Sequence, residues 1–293
     1  MTFRDLILAG LAFTAGVFVL LAVGGCGAGK GMLKDGRVSL KYAMPDGKVL
    51  KYRVTNGFTQ QMDVGGDRPI SVTTELAQVL SVHSQGMREK DYRLAVTIDS
   101  MAGSLSAPQG SIPVDEKSIL GRSFDMTLSS LGEEKDVSSA EPIEIDWGMG
   151  QKQDALSSFK AFFPNLPRRS VMVGDNWISV DTITEKMGQG EILIILSSTH
   201  RLDGFEAING VKCAKVTAEV SGSITGKGVE GGMEYTTKME YAGNDVWYFA
   251  PETGVFVKSV STAKAKGEII GTGAQQITIP MTRDYSAATE LIR

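Results

Sequence analysis

The stretch QKQDALSSFKAFFPNLPRRSVMVGDNW, residues 151–177, divides the chain into two β-rich halves. Its first part places Leu156, Phe159 and Phe163 at positions i, i+3 and i+7, which is the spacing of an apolar stripe on an α-helix. Pro164 cannot continue a helix, and it favours an extended conformation at the residue before it. The spacing therefore predicts one central helix that ends before this proline.

Residues 151–170 are accordingly predicted to form the helix and a Pro-rich connection, and a strand is predicted to begin at Val171. Two roles are open for such a helix. It could be a fixed plug that caps the open end of a sheet. It could also be a mobile lid over a ligand cavity.

Upstream, residues 38–150 show the alternation of apolar and polar residues that is typical of half-buried strands. The clearest case is the segment DYRLAVTID, in which Tyr92, Leu94, Val96 and Ile98 share one face. At the start of this half, Val38, Leu40 and Tyr42 also share a face. This pattern predicts an antiparallel meander with one face against a core and one face in water.

Downstream, residues 171–293 continue the β pattern and are more hydrophobic. The run of apolar residues from Ile192 to Leu196 predicts a central strand that is buried on both faces. Asn209 and Gly210 form the strongest hairpin-turn signal in the chain. The fold class is therefore predicted as mainly β (a β-dominated α+β protein), with one large curved antiparallel sheet or half-barrel and one central helix, in a single continuous domain.

The two halves resemble each other in their spacing. The interval from Gly121 to Gly132 equals the interval from Gly243 to Gly254, and each interval runs from the start of a predicted hairpin to its turn. These intervals predict an internal duplication, with Gly132 and Gly254 at equivalent turns. Chance spacing is the alternative in a chain that contains 34 glycines.

The N-terminus has the features of an export signal. Residues 6–23 are apolar apart from one threonine and small residues, and the small residues that follow precede Cys26. We interpret residues 1–25 as a lipoprotein signal peptide, Cys26 as the lipidated first residue of the mature chain, and residues 26–37 as a flexible tether. An uncleaved membrane helix is the competing interpretation. Gly27 is not the aspartate associated with inner-membrane retention, so we expect the outer membrane, with the protein facing the periplasm.

Composition and motifs give no indication of catalysis. The net charge is −4 over 293 residues, and the basic residues are scattered, which argues against a nucleic-acid partner. The two histidines, His83 and His200, lie in no zinc-binding pattern, and no G-x-S-x-G motif occurs. Cys213 is predicted to be a passive small residue. We therefore predict no catalytic residue, no metal and no cofactor.

Aromatic residues are the remaining candidates for a binding site. Trp177 and Trp247 lie in predicted strands, where they could pack in the core or form an aromatic wall of an apolar cavity. Together with Leu156, Phe159 and Phe163 of the predicted helix, they are the predicted ligand-binding residues. Trp147 has the same two interpretations.

The segment FFPNLPRRSVMVGDNW, residues 162–177, resembles the F-x-x-L-P-x-x-x-V-x-V-G-D-x-W signature of a family of uncharacterised bacterial lipoproteins. In that family a lipidation signal precedes a β-rich body, and the resemblance implies no activity. The predicted curved sheet with a plugging helix is also similar to the fold of the periplasmic lipoprotein carriers (LolA/LolB-like).

Taken together, these features predict a non-catalytic lipoprotein that binds an apolar ligand or a partner protein of the envelope on the concave face of its sheet. A purely structural envelope lipoprotein is the alternative, and a hydrolytic enzyme is a third possibility. A large apolar cavity beneath the helix would favour a binding protein, whereas a filled interior would favour a structural one.

Overall fold

A computed structural model describes residues 36–65, 69–146, 152–187, 190–230, 233–272 and 276–292. The predicted signal peptide, Cys26, most of the tether and Trp147 lie outside these residues. Among the described residues there are fourteen strands and two short 3-10 helices, Glu116–Ser118 and Ala155–Phe159. The strands are β1 (Val49–Met62), β2 (Ile70–Arg88), β3 (Asp91–Ala107), β4 (Gly110–Pro113), β5 (Ser123–Leu128), β6 (Glu134–Ser138), β7 (Glu144–Asp146), β8 (Lys152–Asp154), β9 (Asn176–Met187), β10 (Gly190–Ile208), β11 (Val211–Glu230), β12 (Met233–Ala250), β13 (Val255–Thr272) and β14 (Ile277–Ile292).

Twelve of these strands form one antiparallel sheet, in the order β6-β5-β3-β2-β1-β14-β13-β12-β11-β10-β9, with β4 paired to β3. Strands β7 and β8 form a separate small hairpin. The sheet ends at β6 on one side and at β9 on the other, so it is a large open sheet that is not closed into a barrel. The prediction of a mainly β protein built on a curved antiparallel sheet is confirmed.

Side-chain alternation sets the inner face of the sheet. Along β3, Leu94, Val96 and Ile98 are buried, as the sequence pattern predicts. The predicted turn between β10 and β11 is also present, with Asn209 and Gly210 both at positive φ (43° and 83°). Two residues in this conformation match the right-handed twist of the flanking strands, and this fixes the register of the hairpin.

Strand β10 is less buried than its apolar sequence predicts. Ile192, Ile194 and Leu196 are buried, but Ile195 between them is 39% exposed. The prediction of a central strand that is buried on both faces is therefore wrong. Strand β10 is next to the edge strand β9, and its outer face has no covering layer among the described residues.

The predicted central helix is also wrong. Residues 152–154 form strand β8, and only Ala155–Phe159 adopt a helical turn, of the 3-10 type. The side chain of Asp154 accepts a hydrogen bond from the Leu156 amide at 2.9 Å and starts this turn. A helix of this length has little stability of its own, and burial of Phe162 and Phe163 at adjacent positions requires a chain that leaves the helical path.

The residues before β1 and β9 do not form the predicted strands. Val38 and Val171 make an isolated bridge with each other, and β9 begins only at Asn176. The extended segment after Val38 crosses one end of the sheet. Its backbone is tied to two hairpin turns, by Tyr42 N–H to Ser130 O at 2.9 Å and by Ala43 N–H to Gly254 O at 2.9 Å. Its alternate side chains, Val38, Leu40, Tyr42 and Met44, are all buried, as the shared face in the sequence predicts.

The arrangement of the two halves bears on the predicted duplication. Strands β1 to β6 and strands β9 to β13 form two meanders in the same order on either side of β14. Six antiparallel steps separate β1 from β9, so the two opening strands run in the same direction. Gly132 and Gly254 both lie in hairpin turns that close these meanders, at φ 98° and 65°. The duplication stays a prediction, and these positions agree with it.

Candidate ligand-binding site

Residues 155–170, here called the connector, lie between the two edges of the open sheet. On one side, the Phe163 amide donates to Glu134 Oε1 of β6 at 2.5 Å. On the other side, Asn165 Nδ2 donates to Asp181 Oδ1 of β9 at 2.8 Å. The ammonium group of Lys160 adds a hydrogen bond to the carbonyl oxygen of Thr184, also in β9. The connector is thus held to both edge strands, largely through side chains rather than through a backbone ladder.

The connector fills the interior with aromatic rings. Phe159, Phe162 and Phe163 are each 4% exposed or less. The ring of Phe159 lies 4.5 Å from that of Phe124 in β5, and the ring of Phe162 lies 5.6 Å from that of Tyr52 in β1. Aromatic side chains of this size contribute strongly to a core. The three phenylalanines therefore occupy the space that the open sheet encloses.

The five predicted ligand-binding residues fall into two neighbouring groups. Phe159 and Phe163 belong to the buried aromatic cluster, and Leu156 is only partly buried beside it. Trp177 and Trp247 pack edge to face with their ring centres 6.0 Å apart. Phe163 and Trp247 line the same small cavity under the connector. Whether any of these residues binds a ligand stays a prediction.

That cavity has a volume of about 60 Å³ and is more polar than the sequence suggests. Its lining consists of Ala161, Phe162, Phe163, Pro164, Asn165, Ser179, Asp181, Leu196, Ser198, His200, Val220, Tyr241, Asp245 and Trp247. A partly polar space of this size can hold ordered water but not a lipid chain. The interior beneath the connector is therefore filled by the protein's own side chains.

His200 is the central polar residue of this cavity. Its ring stacks on Trp177 at 5.2 Å, and its Nε2 is 2.9 Å from Ser179 Oγ. Burial lowers the pKa of His200 to about 4, because the charged imidazolium would lose its hydration. The imidazole is thus neutral at pH 7. Among the described residues, His200 Nδ1 and Trp247 Nε1 are buried without a hydrogen-bond partner.

Three carboxyl groups surround the connector, and burial is the main cause of a raised pKa in each. The pKa of Glu134 lies well above its ordinary value, although the hydrogen bond from the Phe163 amide partly offsets the effect. Burial raises the pKa of Asp181, which the hydrogen bond from Asn165 opposes. Burial raises the pKa of Asp245 to about 6. These groups are therefore stabilised in their neutral forms relative to exposed carboxylates.

The contact between Ser179 and His200 does not amount to a catalytic triad. A serine nucleophile needs its histidine base to be oriented by an acceptor on the second ring nitrogen. Within the described part of the chain, His200 Nδ1 has no such acceptor. The described part of the chain also contains no group of three or more histidine, cysteine, aspartate or glutamate side chains that could hold a metal ion. The absence of catalysis itself stays a prediction.

The side chain of Cys213 lies in the core. The alternation in β11 assigns it to the face of Lys215, yet it is fully buried near the turn that starts the strand. Burial raises the pKa of its thiol to about 12, so little thiolate forms at neutral pH.

Another polar group lies in the core farther along the sheet. Arg283 of β14 is 1% exposed, and its Nε donates to Gln60 Oε1 at 2.8 Å. The guanidinium group also lies over the ring of Phe58, 4.9 Å from its centre. Sequence reasoning missed both Arg283 and His200. The sequence pattern could have indicated both, because each residue occupies an inward position in an alternating strand. The other inward residues of these strands are mostly apolar.

The larger depressions lie elsewhere. A groove of about 750 Å³ crosses β1, β2, β3, β13 and β14, and exposed residues such as Thr55, Glu75 and Asp284 contribute to its lining. A second depression, of about 740 Å³, is lined mainly by charged and polar residues of β2, β3, β5 and β6. Neither lies beneath the connector.

No known family matches the sequence, and no curated protein matches it. Among solved structures, the chain is similar to the crystal structure of Pseudomonas aeruginosa OccK5 (OpdH), with 9% sequence identity and a TM-score of 0.23. The match covers 86% of this chain and all of that chain, but a similarity of this degree supports no inference. Among the described residues, no helix is long and apolar enough to span a membrane.

Proposed function

We propose that this protein is a non-catalytic lipoprotein of the bacterial envelope, anchored through Cys26, that binds an apolar ligand inside its curved sheet. In this proposal the protein faces the periplasm from the outer membrane. The connector is a movable cover, and its three buried phenylalanines occupy the ligand's place in the unliganded state. The observation that carries the proposal is the gap between β6 and β9, which the connector fills without strand pairing.

Exchange of the aromatic rings for a ligand involves burial energies of similar size. Burial of one phenylalanine contributes about 1.5–3 kcal/mol, so removal of three from the core costs roughly 5–9 kcal/mol. Burial of each methylene group of a ligand returns about 0.8 kcal/mol. Burial of a chain of about a dozen carbons would therefore contribute roughly 10 kcal/mol to binding. The cost of association has to be subtracted from this value. An acyl chain is thus long enough to replace the aromatic rings.

The second candidate is a structural envelope protein with a fixed connector. The observation that favours it is the size of the cavity beneath the connector, about 60 Å³ with a partly polar lining. A protein with this role would keep the closed arrangement at all times. The two candidates therefore differ in whether the connector can leave the sheet.

A reversible cross-link tests the difference. Lys160 lies in the connector and Thr184 in β9, both are exposed, and the lysine side chain already reaches the Thr184 carbonyl oxygen. In the full-length protein, Lys160→Cys and Thr184→Cys would be joined by a thiol-specific cross-linker that a reductant cleaves. The buried Cys213 does not compete for the reagent. Binding of a fluorescent fatty acid is then measured before cross-linking, after it, and after reduction.

We expect the cross-link to weaken fatty-acid binding at least tenfold and reduction to restore it. The matched control is a cross-link between Thr97→Cys and Ser123→Cys, because these residues pair across β3 and β5 on the outer face, opposite the face on which Phe124 packs against the connector. Ser123 is exposed and Thr97 is half-buried. The control cross-link should leave binding unchanged. No binding in any state, or equal binding in all of them, would contradict the movable cover and favour the structural candidate.

A further inference from the structure

The small cavity beneath the connector gathers hydrogen-bonding groups from neighbouring strands. Ala218 of β11 pairs with His200 of β10 on one side and with Asp245 of β12 on the other. Paired residues point to the same face of a sheet, so these two polar side chains stand two strand spacings apart, roughly 10 Å, with only a methyl group between them. Ser198 and Trp247 line the same cavity from β10 and β12. The sheet itself therefore supplies a polar site that stays in place when the connector moves.

Two buried polar atoms at this site have no hydrogen-bond partner within the described part of the chain. They are His200 Nδ1 and Trp247 Nε1. The two residues are 5% and 2% exposed, and their ring centres are 5.8 Å apart. Native proteins seldom leave buried polar groups unpaired, because such groups have given up their bonds to water. The closed arrangement thus lacks a partner that a bound molecule can supply, and the two rings are close enough for one small group to contact both.

The charges around the cavity restrict what that molecule can be. Asp181 and Asp245 line the cavity, and none of its described lining residues is a lysine or an arginine. Asp181 accepts a hydrogen bond from Asn165 and Asp245 accepts one from Ser261, so neither carboxyl group is paired with a cation in the part of the chain that the structure describes. An anionic head group would find no counter-ion here, and ionised carboxylates would repel it.

The indole of Trp247 restricts the head group further. An indole N–H can only donate, so it needs an acceptor, and an ammonium group has none to offer. A hydroxyl group both accepts and donates. It can therefore accept from Trp247 Nε1 and pair with His200 Nδ1 in either tautomer of the neutral imidazole. The volume of about 60 Å³ corresponds to about two water molecules, which is too small for a phosphate-bearing head group.

The cavity also borders the space that an apolar chain would take. Phe162 and Phe163 line the cavity, and their rings, 4.9 Å apart, belong to the aromatic cluster of the connector. A ligand chain that replaced these rings would therefore have one end beside His200 and Trp247.

We propose that this cavity binds the uncharged hydroxyl head group of a long-chain ligand, with Trp247 Nε1 donating to the hydroxyl oxygen and His200 Nδ1 as its second partner. The inference rests on the proposed function, and it narrows the ligand to a neutral lipid with a small hydroxyl head group, such as a long-chain alcohol. Binding then satisfies two polar atoms that the closed arrangement leaves unpaired.

Two ligands with equal chains test the head-group contact. The full-length protein is reconstituted in vesicles of phosphatidylethanolamine and phosphatidylglycerol and loaded with a fluorescent fatty acid, whose own affinity is determined for each variant. Dodecan-1-ol or 1-chlorododecane then displaces it from wild type, Trp247→Phe and His200→Phe. The quantity compared is the ratio of the two ligand affinities. Partition of each ligand into the vesicles is the same for every variant, and the cost of moving the connector is the same for both ligands, so a change in this ratio reports the head group.

Tyr52→Phe is the matched control. It also removes a buried donor from beneath the connector, but the Tyr52 hydroxyl already donates to the Phe256 carbonyl oxygen at 3.1 Å and lies outside the cavity lining. The preference for the alcohol should therefore stay unchanged in this variant.

We expect the preference for dodecan-1-ol over 1-chlorododecane to fall about three- to tenfold in Trp247→Phe and in His200→Phe, which is the effect of one lost hydrogen bond. An unchanged ratio in either folded variant would overturn the contact assigned to that residue, and an equal fall in Tyr52→Phe would overturn both. Displacement by both ligands would in these cases still support an apolar ligand. The absence of saturable fatty-acid binding in wild type would refute the proposed function and, with it, this inference.

A charge variant tests the preference for an uncharged head group. At pH 7.5 the carboxyl group of Asp245 is ionised, because burial raises its pKa only to about 6. Asp245→Asn should therefore strengthen displacement by dodecanoate severalfold relative to displacement by 1-chlorododecane. An unchanged or lower ratio would contradict the exclusion of anionic head groups by this residue.

Discussion

A pair of phenylalanines in mutual contact distinguishes a movable connector from a fixed one. Phe159 lies in the connector and Phe124 in β5, their rings are 4.5 Å apart, and they are 4% and 2% exposed. Truncation of a fully buried phenylalanine to alanine costs about 3–5 kcal/mol when its surroundings stay folded. If the connector is fixed, Phe159→Ala and Phe124→Ala should each cost this amount.

A movable connector changes the expectation for Phe159 alone. If the connector can detach while the sheet stays folded, Phe159→Ala cannot cost more than the free energy of detachment, because the mutant then populates the open state. The roughly 5–9 kcal/mol of phenylalanine burial lost on detachment is offset by the conformational entropy that the freed connector regains, at about 1–2 kcal/mol per residue. A movable connector therefore has a net detachment free energy of about 1–2 kcal/mol, which sets the expected cost of Phe159→Ala, whereas Phe124→Ala should cost about 3–5 kcal/mol.

The assay is urea unfolding of both variants, together with hydrogen exchange of the connector. The Phe163 amide, which donates to Glu134, should exchange faster in Phe159→Ala while amides in β2 keep their protection. Equal losses of stability for the two variants, with unchanged exchange at Phe163, would refute the reasoning. The connector would then be a permanent part of the core.

Two further predictions concern the anchor and the polar cavity. In Cys26→Ser, the mass increase from the lipid should be absent and the protein should no longer stay with membranes; an unchanged mass with unchanged membrane association would refute lipidation at this residue. The pH dependence of stability should separate Asp245 from His200. The raised pKa of Asp245, about 6, makes the folded state bind more protons than the unfolded state between about pH 4 and pH 6, so this group lowers stability as pH rises through that range. The lowered pKa of His200, about 4, makes the folded state bind fewer protons between about pH 4 and pH 6.5, so this group raises stability with pH. Relative to wild type, Asp245→Asn should therefore make stability rise more steeply between pH 4 and pH 6 in chemical denaturation, and His200→Gln should make it fall more steeply. The opposite change of slope in either variant would contradict the assigned burial.

Part of the candidate site was predictable from the sequence. The apolar spacing of Phe159 and Phe163 correctly indicated burial, because these side chains have no stable alternative to the core. The same spacing was misleading about the helix, since an aromatic-rich segment of this length can bury its rings from an irregular chain as well. His200 and Asp245 could not be assigned to one cavity, because they lie on strands β10 and β12 and approach each other only when β11 pairs between them.

The sequence by itself determined the β character of the chain, its turns and the inner face of most strands. These properties are local: alternation assigns side chains to faces, and residues such as Asn209 and Gly210 fix a turn within two positions. The tertiary structure decided which strands became the edges of the sheet, and hence what fills the gap between them. The connector adopts the conformation that bridges Glu134 on β6 and Asp181 on β9. No local preference of its residues specifies the distance between these two edge strands. Long-range packing therefore overrode the helical pattern at this point, because burial of three phenylalanines outweighs the weak propensity of a short helix.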